Sequence, residues 1–513
     1  MSELTRAWKK TVGNELLWIL FGCLVYLYFL LFRWPNTPFY QGADQAYFME
    51  HAKRMLRGQM MYRDFFEYLT PGTDLVYLSL FKVFGVRAWI PSLTILVLGF
   101  AITWLTIAIS RNVMDKKASL LSGLLFLVLG YRFFLNGTHH WFSVLATMAA
   151  TSVLIRERSP ARICCAGVFC AFALFFTPLR GALAAIGLGV FLLWEYRREK
   201  QTPSRFLKNE AILIGPFVAV SLLENVYFVT AAGAGKFFYS TVIFLLKYYP
   251  SELYGSWRAY MIDIPRPISI KTLPQLGACL LMYGMVPLIY LLFFACVRRV
   301  SPTQPREPWN CLMLINITGL FLFLSVANSP IWIRLAVVSP PAWILLLWLI
   351  HSPGRLNGML RGTLWAGTVA WMIATPLKTQ RSKVWYLDAR VGRTAFSNPI
   401  RYQKYRWVLE RTRPGEFFFG SYNPDVYYSA GLQNPSEVPL ITRNDFTRPE
   451  QVENIVDALD KKRVRYVLWA QSQDVARSAR EHDNLPPLRA YLSRHYHVVE
   501  TFADGDQAWE RNP

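Results

Sequence analysis

The sequence predicts a polytopic α-helical membrane protein of about eleven transmembrane helices, followed by a soluble C-terminal α/β domain. Three observations predict it. Of the 513 residues, 53% are hydrophobic and only 17% charged, which is too apolar for an ordinary soluble protein of this size. Apolar runs near the ~20 residues that cross a bilayer recur through the first three quarters of the chain. From about Lys378 these runs stop, and strand and helix patterns of a soluble fold take over. The expected division is a membrane domain over 1–377, with a first external loop at 33–88, and an external α/β domain over 378–513.

The runs are 16–32, 89–110, 118–135, 141–155, 211–232, 273–297, 311–327, 331–350 and 363–376. A longer run over 163–194 is interrupted by "TPLRG", which predicts two spans with a tight turn or a re-entrant pair. Arg6, Lys9 and Lys10 precede the first run as in a signal peptide, but "FRWPNTPF" offers no small-residue cleavage site. The segment therefore reads as an uncleaved first span. Basic loops such as "RNVMDKK", "RERSPAR", "EYRREKQTPSRFLK", "RRVSPTQPREP" and "HSPGRLNGMLRG" alternate with poorer ones such as "NSP". Positive charge stays inside, so the N-terminus is expected in the cytoplasm. An odd span count then puts the tail on the periplasmic face of the inner membrane. The net charge of +22 is accounted for in the same way, since Lys and Arg punctuate the apolar runs. That pattern argues against a nucleic-acid partner. The seven cysteines lie in or beside apolar runs, with neither a disulfide framework nor metal-ligand spacing, and read as small core residues.

In the tail, "GEFFFGS" and "RYVLWA" read as buried strands. "RPEQVENIVDALDKK" places Val452, Ile455, Val456 and Leu459 at helical spacing. "HVVETFADGDQAWER" reads as a hairpin with Asp504-Gly505-Asp506 at its turn.

The first external loop is the most patterned polar stretch. "ADQAYFMEHAKRML" predicts an amphipathic helix with Phe48, Ala52, Met55 and Leu56 on one side. Asp44 stands at its start, where the helix dipole favours the ionised carboxylate. "YRDFFEYLTPG" then carries Arg63, Asp64 and Glu67 back towards the membrane, and "LVYLSLFKVFG" is apolar but too short to span. Asp44 reads either as an N-cap or as a working carboxylate. Its place just beyond the first span, among Lys53, Arg54, Arg57 and Arg63, favours the second reading. External positive charge otherwise violates the charge rule.

The stretch from Gly42 to Gly85 resembles the first external loop of bacterial GT-C glycosyltransferases. These include protein-mannosyltransferase-like proteins, rhizobial lipopolysaccharide-core sugar transferases and, more distantly, the lipid A aminoarabinose transferase. Asp44, Gly58, Tyr62-Arg63-Asp64-Phe65-Phe66 and Pro71-Gly72 match in order and spacing. Gln45 departs from the pattern, since Glu often follows the Asp there, and this weakens the case for a metal; "TPG" also replaces the frequent "PPG". The resemblance implies transfer of a sugar, with inversion of the anomeric centre, from a polyprenyl-phosphate donor to a lipid, glycan or protein acceptor on the outer face. Asp44 is then the base. No cofactor is called for, and a divalent metal stays open.

Such chemistry needs cations on the phosphate leaving group. Candidates are Arg334 in "SPIWIRLAVVSPP", which resembles the family's Arg before a Pro-started span, Arg63, and Arg180 after "FFTPL". For Arg334 and Arg180 the bland alternative is snorkelling at the interface. His139 and His140 in "NGTHHW" open a span and lack a third metal ligand nearby, so acceptor or phosphate hydrogen bonding is expected of them. Asp64 and Glu67 are expected to organise the loop or acceptor. Glu224 in "SLLENVYF" is an acid within a span, hence a functional candidate or the partner of a neighbouring Arg or Asn225. The rival reading is a lipid-linked saccharide flippase or transporter. It should show charge pairs within the membrane and broken helices in both halves, and the sequence offers one broken run and one clear intramembrane acid. A nucleotide-sugar enzyme built on Asp504 and Asp506 lacks a glycine-rich strand-to-helix turn.

Overall fold

The computed structural model describes residues 15–42, 44–251, 255–300, 306–350, 355–422, 424–476 and 482–513. Arg6, Lys9 and Lys10, and the loop residues 301–305 and 351–354, lie outside the described residues. The chain falls into two compact units. A helical unit comprises the described part of Met1–Leu31 with Leu93–Glu224 and Tyr260–Arg381. A mixed unit comprises Phe32–Ser92, Asn225–Ala259 and Ser382–Pro513.

Helices account for the first unit because an apolar segment in lipid must satisfy its own backbone hydrogen bonds. Ile90–Ser110, Lys116–Phe134, Pro178–Glu199, Pro203–Ala232 and Gln275–Ala295 are long and apolar enough to cross a membrane. Glu15–Leu31, Pro160–Phe176, Trp309–Leu324 and Pro340–Ile350 are shorter apolar helices. The interrupted run over 163–194 is two helices, Pro160–Phe176 and Pro178–Glu199, broken at Thr177. Gly181 lets them close on each other, since a Cβ there would lie 2.0 Å from the Leu174 backbone nitrogen. The run at 331–350 differs from expectation. It is not one helix but a short one, Trp332–Val337, followed by Pro340–Ile350. Hydropathy is blind to the cause. Pro340 disfavours helical backbone at Ser339, yet suits the first position of a new helix.

In the mixed unit, β1 (Phe32–Arg33) pairs with β2 (Thr37–Pro38), and β3 (Trp385–Ala389) with β4 (Gly392–Phe396), both antiparallel. A four-stranded sheet has the order β5 (Phe418–Gly420), β6 (Tyr466–Trp469), β8 (Gln507–Arg511), β7 (Tyr496–Thr501). β5 and β6 run parallel and are fully buried. Their connection includes the helix Pro449–Lys461, which buries Val452, Ile455 and Leu459. β7 and β8 form the antiparallel hairpin, and Gly505 takes φ +84° at its turn.

The first loop folds into this unit rather than beside it. The loop helix Gln45–Leu56 and the helix Gly72–Phe84 share a buried cluster with Val391 and Tyr428 of the tail. Phe48 and Ala52 are buried as their spacing implies, but so are Glu50, His51, Lys53 and Arg54, while Leu56 is exposed. The helix is thus surrounded on almost every side. Its charges are accommodated by specific partners. Lys53 donates to the carbonyls of Tyr427 and Leu432, and Arg54 donates to Ser436 O at 2.7 Å and Gln59 Oε1 at 2.7 Å. Burial pulls the Lys53 ammonium below its usual pKa. Two of the four loop cations therefore staple the loop to the tail.

Candidate active site

Asp44 precedes the loop helix with helical backbone (φ −56°, ψ −33°), is exposed, and makes no capping hydrogen bond. The N-cap explanation requires that bond, and Asp44 does not make it.

The other loop acids are engaged. Asp64 accepts from Arg63 at 2.9 and 2.8 Å and from the Met60 backbone N–H. The hydrogen bond from Arg63 holds its carboxyl below the usual range. Arg63 also lines a cleft of about 250 Å³ with Tyr62, Phe66, Lys236, Tyr239 and Arg448. Glu67 is buried. Its Oε1 accepts the Tyr68 and Leu69 backbone N–H groups at 2.7 Å, and its Oε2 lies 3.0 Å from His51 Nδ1. Asp74 Oδ1 lies 3.0 Å from the same nitrogen. Burial opposes charge on His51, but the hydrogen bonds to Asp74 and Glu67 prevail and lift it to about 9. Burial raises the Asp74 carboxyl to about 7. Sequence reading passed over His51 and Asp74. The available signal was a histidine three residues after Phe48, on the apolar side of the helix.

The helical unit brings together four residues that local motifs had marked separately. Arg180, in the first turn of Pro178–Glu199, is 1% exposed. It donates to His140 O at 2.9 Å, Ser143 Oγ at 2.7 Å and Ser325 Oγ at 3.2 Å. The His139 and His140 rings stand 3.9 Å apart, at the start of His139–Leu154. Arg334 adds its positive charge to the field at Arg180, His139 and His140. The short helix bearing Arg334 is fixed at its start by Asp263, whose Oδ2 accepts from Trp332 N and from Tyr283 OH, each at 3.2 Å. Among the described residues no Asp or Glu forms an ion pair with Arg180. A buried guanidinium held only by neutral oxygens, with a second cation close by, makes a site of strong positive potential that suits an anion. Ser143, Ser325 and Asp263 had no sequence signal of their own, being common residue types brought in by helix packing. Glu224 stands apart, in Pro203–Ala232, with neither carboxylate oxygen hydrogen-bonded among the described residues.

The Asp504-Gly505-Asp506 turn is also occupied. Lys404, 8% exposed at its side chain, ion-pairs with both aspartates, and Asp506 Oδ1 accepts the Gln471 N–H at 3.0 Å. These carboxylates neutralise an ammonium and pin the hairpin. Replacing both with Asn should lower the unfolding temperature while changing kcat/KM per folded molecule less than about twofold, or under ~0.5 kcal/mol of transition-state stabilisation. A folded double variant without turnover would restore the nucleotide-sugar reading.

No protein-family model matches the chain, and no curated protein matches it in sequence. Solved structures do resemble it. ArnT from Cupriavidus metallidurans bound to undecaprenyl phosphate superposes with TM-score 0.62 at 12% identity, over 96% of this chain and 97% of that one. The archaeal oligosaccharyltransferase AglB from Archaeoglobus fulgidus, in complex with an inhibitory peptide and a dolichol-phosphate, gives 0.55 at 10% identity, over 98% and 75%. The Archaeoglobus fulgidus oligosaccharyltransferase in complex with Zn and sulfate gives 0.50 at 13%, over 88% and 67%. At such identities the likeness speaks to fold alone, and over nearly its whole length this chain shares the fold of these transferases.

Proposed function

We propose that the chain is an integral membrane glycosyltransferase that moves a hexosyl or pentosyl group from a polyprenyl phosphate to a lipid, glycan or protein acceptor on the periplasmic side. The observation that carries this reading is Arg180: a buried cation, without an acidic partner among the described residues and reinforced by Arg334, set among apolar helices. A phosphate on a long hydrocarbon chain fits both the charge and the surroundings. The GT-C fold supports the reading, as do the undecaprenyl phosphate bound by ArnT and the dolichol-phosphate bound by AglB.

In the proposed reaction the acceptor oxygen bonds to the anomeric carbon as the bond from that carbon to the phosphate oxygen breaks. The hydroxyl proton passes to Asp44, and polyprenyl phosphate departs with the electron pair. A carboxylate suffices as base because the hydroxyl acidifies as its new bond forms. Arg180 and Arg334 receive the growing phosphate charge, and His139 and His140 offer hydrogen bonds to it. Attack opposite the leaving group inverts the anomeric centre. Asp64 and Glu67 act through loop geometry.

The test uses full-length protein in membrane vesicles with a radiolabelled polyprenyl-phosphate sugar and a water-soluble acceptor mimic. Label should pass to the acceptor, with stoichiometric polyprenyl phosphate, in right-side-out vesicles and not in sealed inside-out ones. Movement of intact donor across the bilayer without bond cleavage would establish the flippase reading instead. Transfer confined to inside-out vesicles would keep the enzyme and reverse its orientation.

A further inference from the structure

His51, Glu67 and Asp74 each offer one donor atom, and these atoms lie within 4.8 Å of one another. They come from three successive pieces of the first loop: the loop helix, the return segment and the first turn of Gly72–Phe84. None is more than 4% exposed. Two carboxylates face one imidazole, and among the described residues no Lys or Arg forms an ion pair with Glu67 or Asp74. Buried carboxylates are normally paired, protonated or bound to a metal.

A second observation points the same way. Asp74 Oδ2 is buried and has no hydrogen-bond partner, although an ionised carboxylate accepts at both oxygens. His51 Nδ1 meets both carboxylates at 3.0 Å. Ligand bonds of ~2.0–2.2 Å in tetrahedral geometry separate donors by roughly 3.3 Å, and the two 3.0 Å separations are close to that, with all three donors within 4.8 Å of one another.

We propose that His51, Glu67 and Asp74 form a structural site for one divalent transition-metal ion, Zn²⁺ or Mn²⁺. One nitrogen and two carboxylates suit those ions, whereas Ca²⁺ and Mg²⁺ take oxygen ligands. With neutral imidazole, the ion's two charges cancel those of the carboxylates. Glu67 Oε1 already holds the Tyr68 and Leu69 N–H groups, which orients Oε2 as an outer partner would. The ion would clip together the two helices of the loop that begins at Asp44. This site is independent of the proposed transfer reaction and is tested without it.

Full-length protein purified in detergent without chelator should carry about one equivalent of Zn²⁺ or Mn²⁺ by elemental analysis. Asp74→Asn and His51→Asn should lower that content at least ~10-fold, while Asp44→Asn keeps it. Because the triad variants could misfold, chelator-stripped wild-type protein is also titrated with ZnCl₂ or MnCl₂, and its unfolding temperature should rise with metal concentration. Metal-free protein whose unfolding is indifferent to both ions would overturn the site and leave a buried proton-sharing cluster. Loss of the ion in Asp44→Asn with retention in folded Asp74→Asn would overturn it equally.

Discussion

Asp44→Asn is expected to abolish sugar transfer while leaving the protein folded and able to bind lipid-linked donor. Asn matches Asp in size and removes proton acceptance. Loss of a general base costs ~10²–10⁴ in rate, whereas loss of a helix cap costs only ~1 kcal/mol of stability. Here even that small penalty should be absent, because Asp44 makes no capping bond. The expected signature is a collapse in kcat, an unchanged unfolding temperature and near-normal donor affinity. Asp64→Asn releases Arg63 and the Met60 N–H, so it should show a milder defect. Near-normal transfer by Asp44→Asn would sink the mechanism and move attention to Asp64 and Glu67.

Arg180→Met separates binding from architecture with similar force. Replacing a buried charged group with an apolar side chain of like volume is often neutral or stabilising. The surroundings favour that outcome. Ser143 Oγ also donates to His139 O at 2.7 Å, and Ser325 Oγ to Leu322 O at 2.6 Å. Neither hydroxyl is orphaned when the guanidinium goes. If Arg180 were a packing residue, Arg180→Met would be stable and active. On the proposed reading it is stable and nearly inactive, with ~10²–10³ lost in kcat as for other donors that stabilise developing charge. Donor affinity should fall as well, and the loss should be larger than for Arg334→Met. Full activity in a folded Arg180→Met variant would remove the phosphate assignment.

How much of this was legible depends on the distance over which each feature is encoded. The helical segments could be read because apolar runs are local, and the break at Thr177 announced itself through "TPLRG". The break before Pro340 carried its signal in two adjacent prolines, but hydropathy averaging erased it. The strands at 418–420 and 466–469 and the hairpin turn at Gly505 follow from patterns a few residues wide. The loop helix was legible in extent but not in environment. Lys53 meets a carbonyl 374 positions away and Arg54 one 382 positions away, and no window of sequence contains both partners. Arg180, Arg334, His139 and His140 were each visible through local motifs. Their convergence comes from helix packing. His51 and Asp74 were invisible as a pair because each alone is unremarkable in composition: one histidine on a helix, one acid in a helix's first turn.

The staples from Lys53 and Arg54 to the tail also govern the order of assembly. A ribosome adds ~5–20 residues per second, so roughly 20–75 s separate synthesis of Lys53 from that of Tyr427, 374 positions later. Throughout that interval the docking surface of the loop does not yet exist. Two cations destined for burial remain hydrated, and the helix that follows Asp44 lacks most of its packing. Contacts of such long sequence separation form late, after the loop-closure entropy has been met. The carboxylate is therefore held in place only once the last quarter of the chain has folded around its helix. On the proposed mechanism, a nascent or prematurely terminated chain would be catalytically silent.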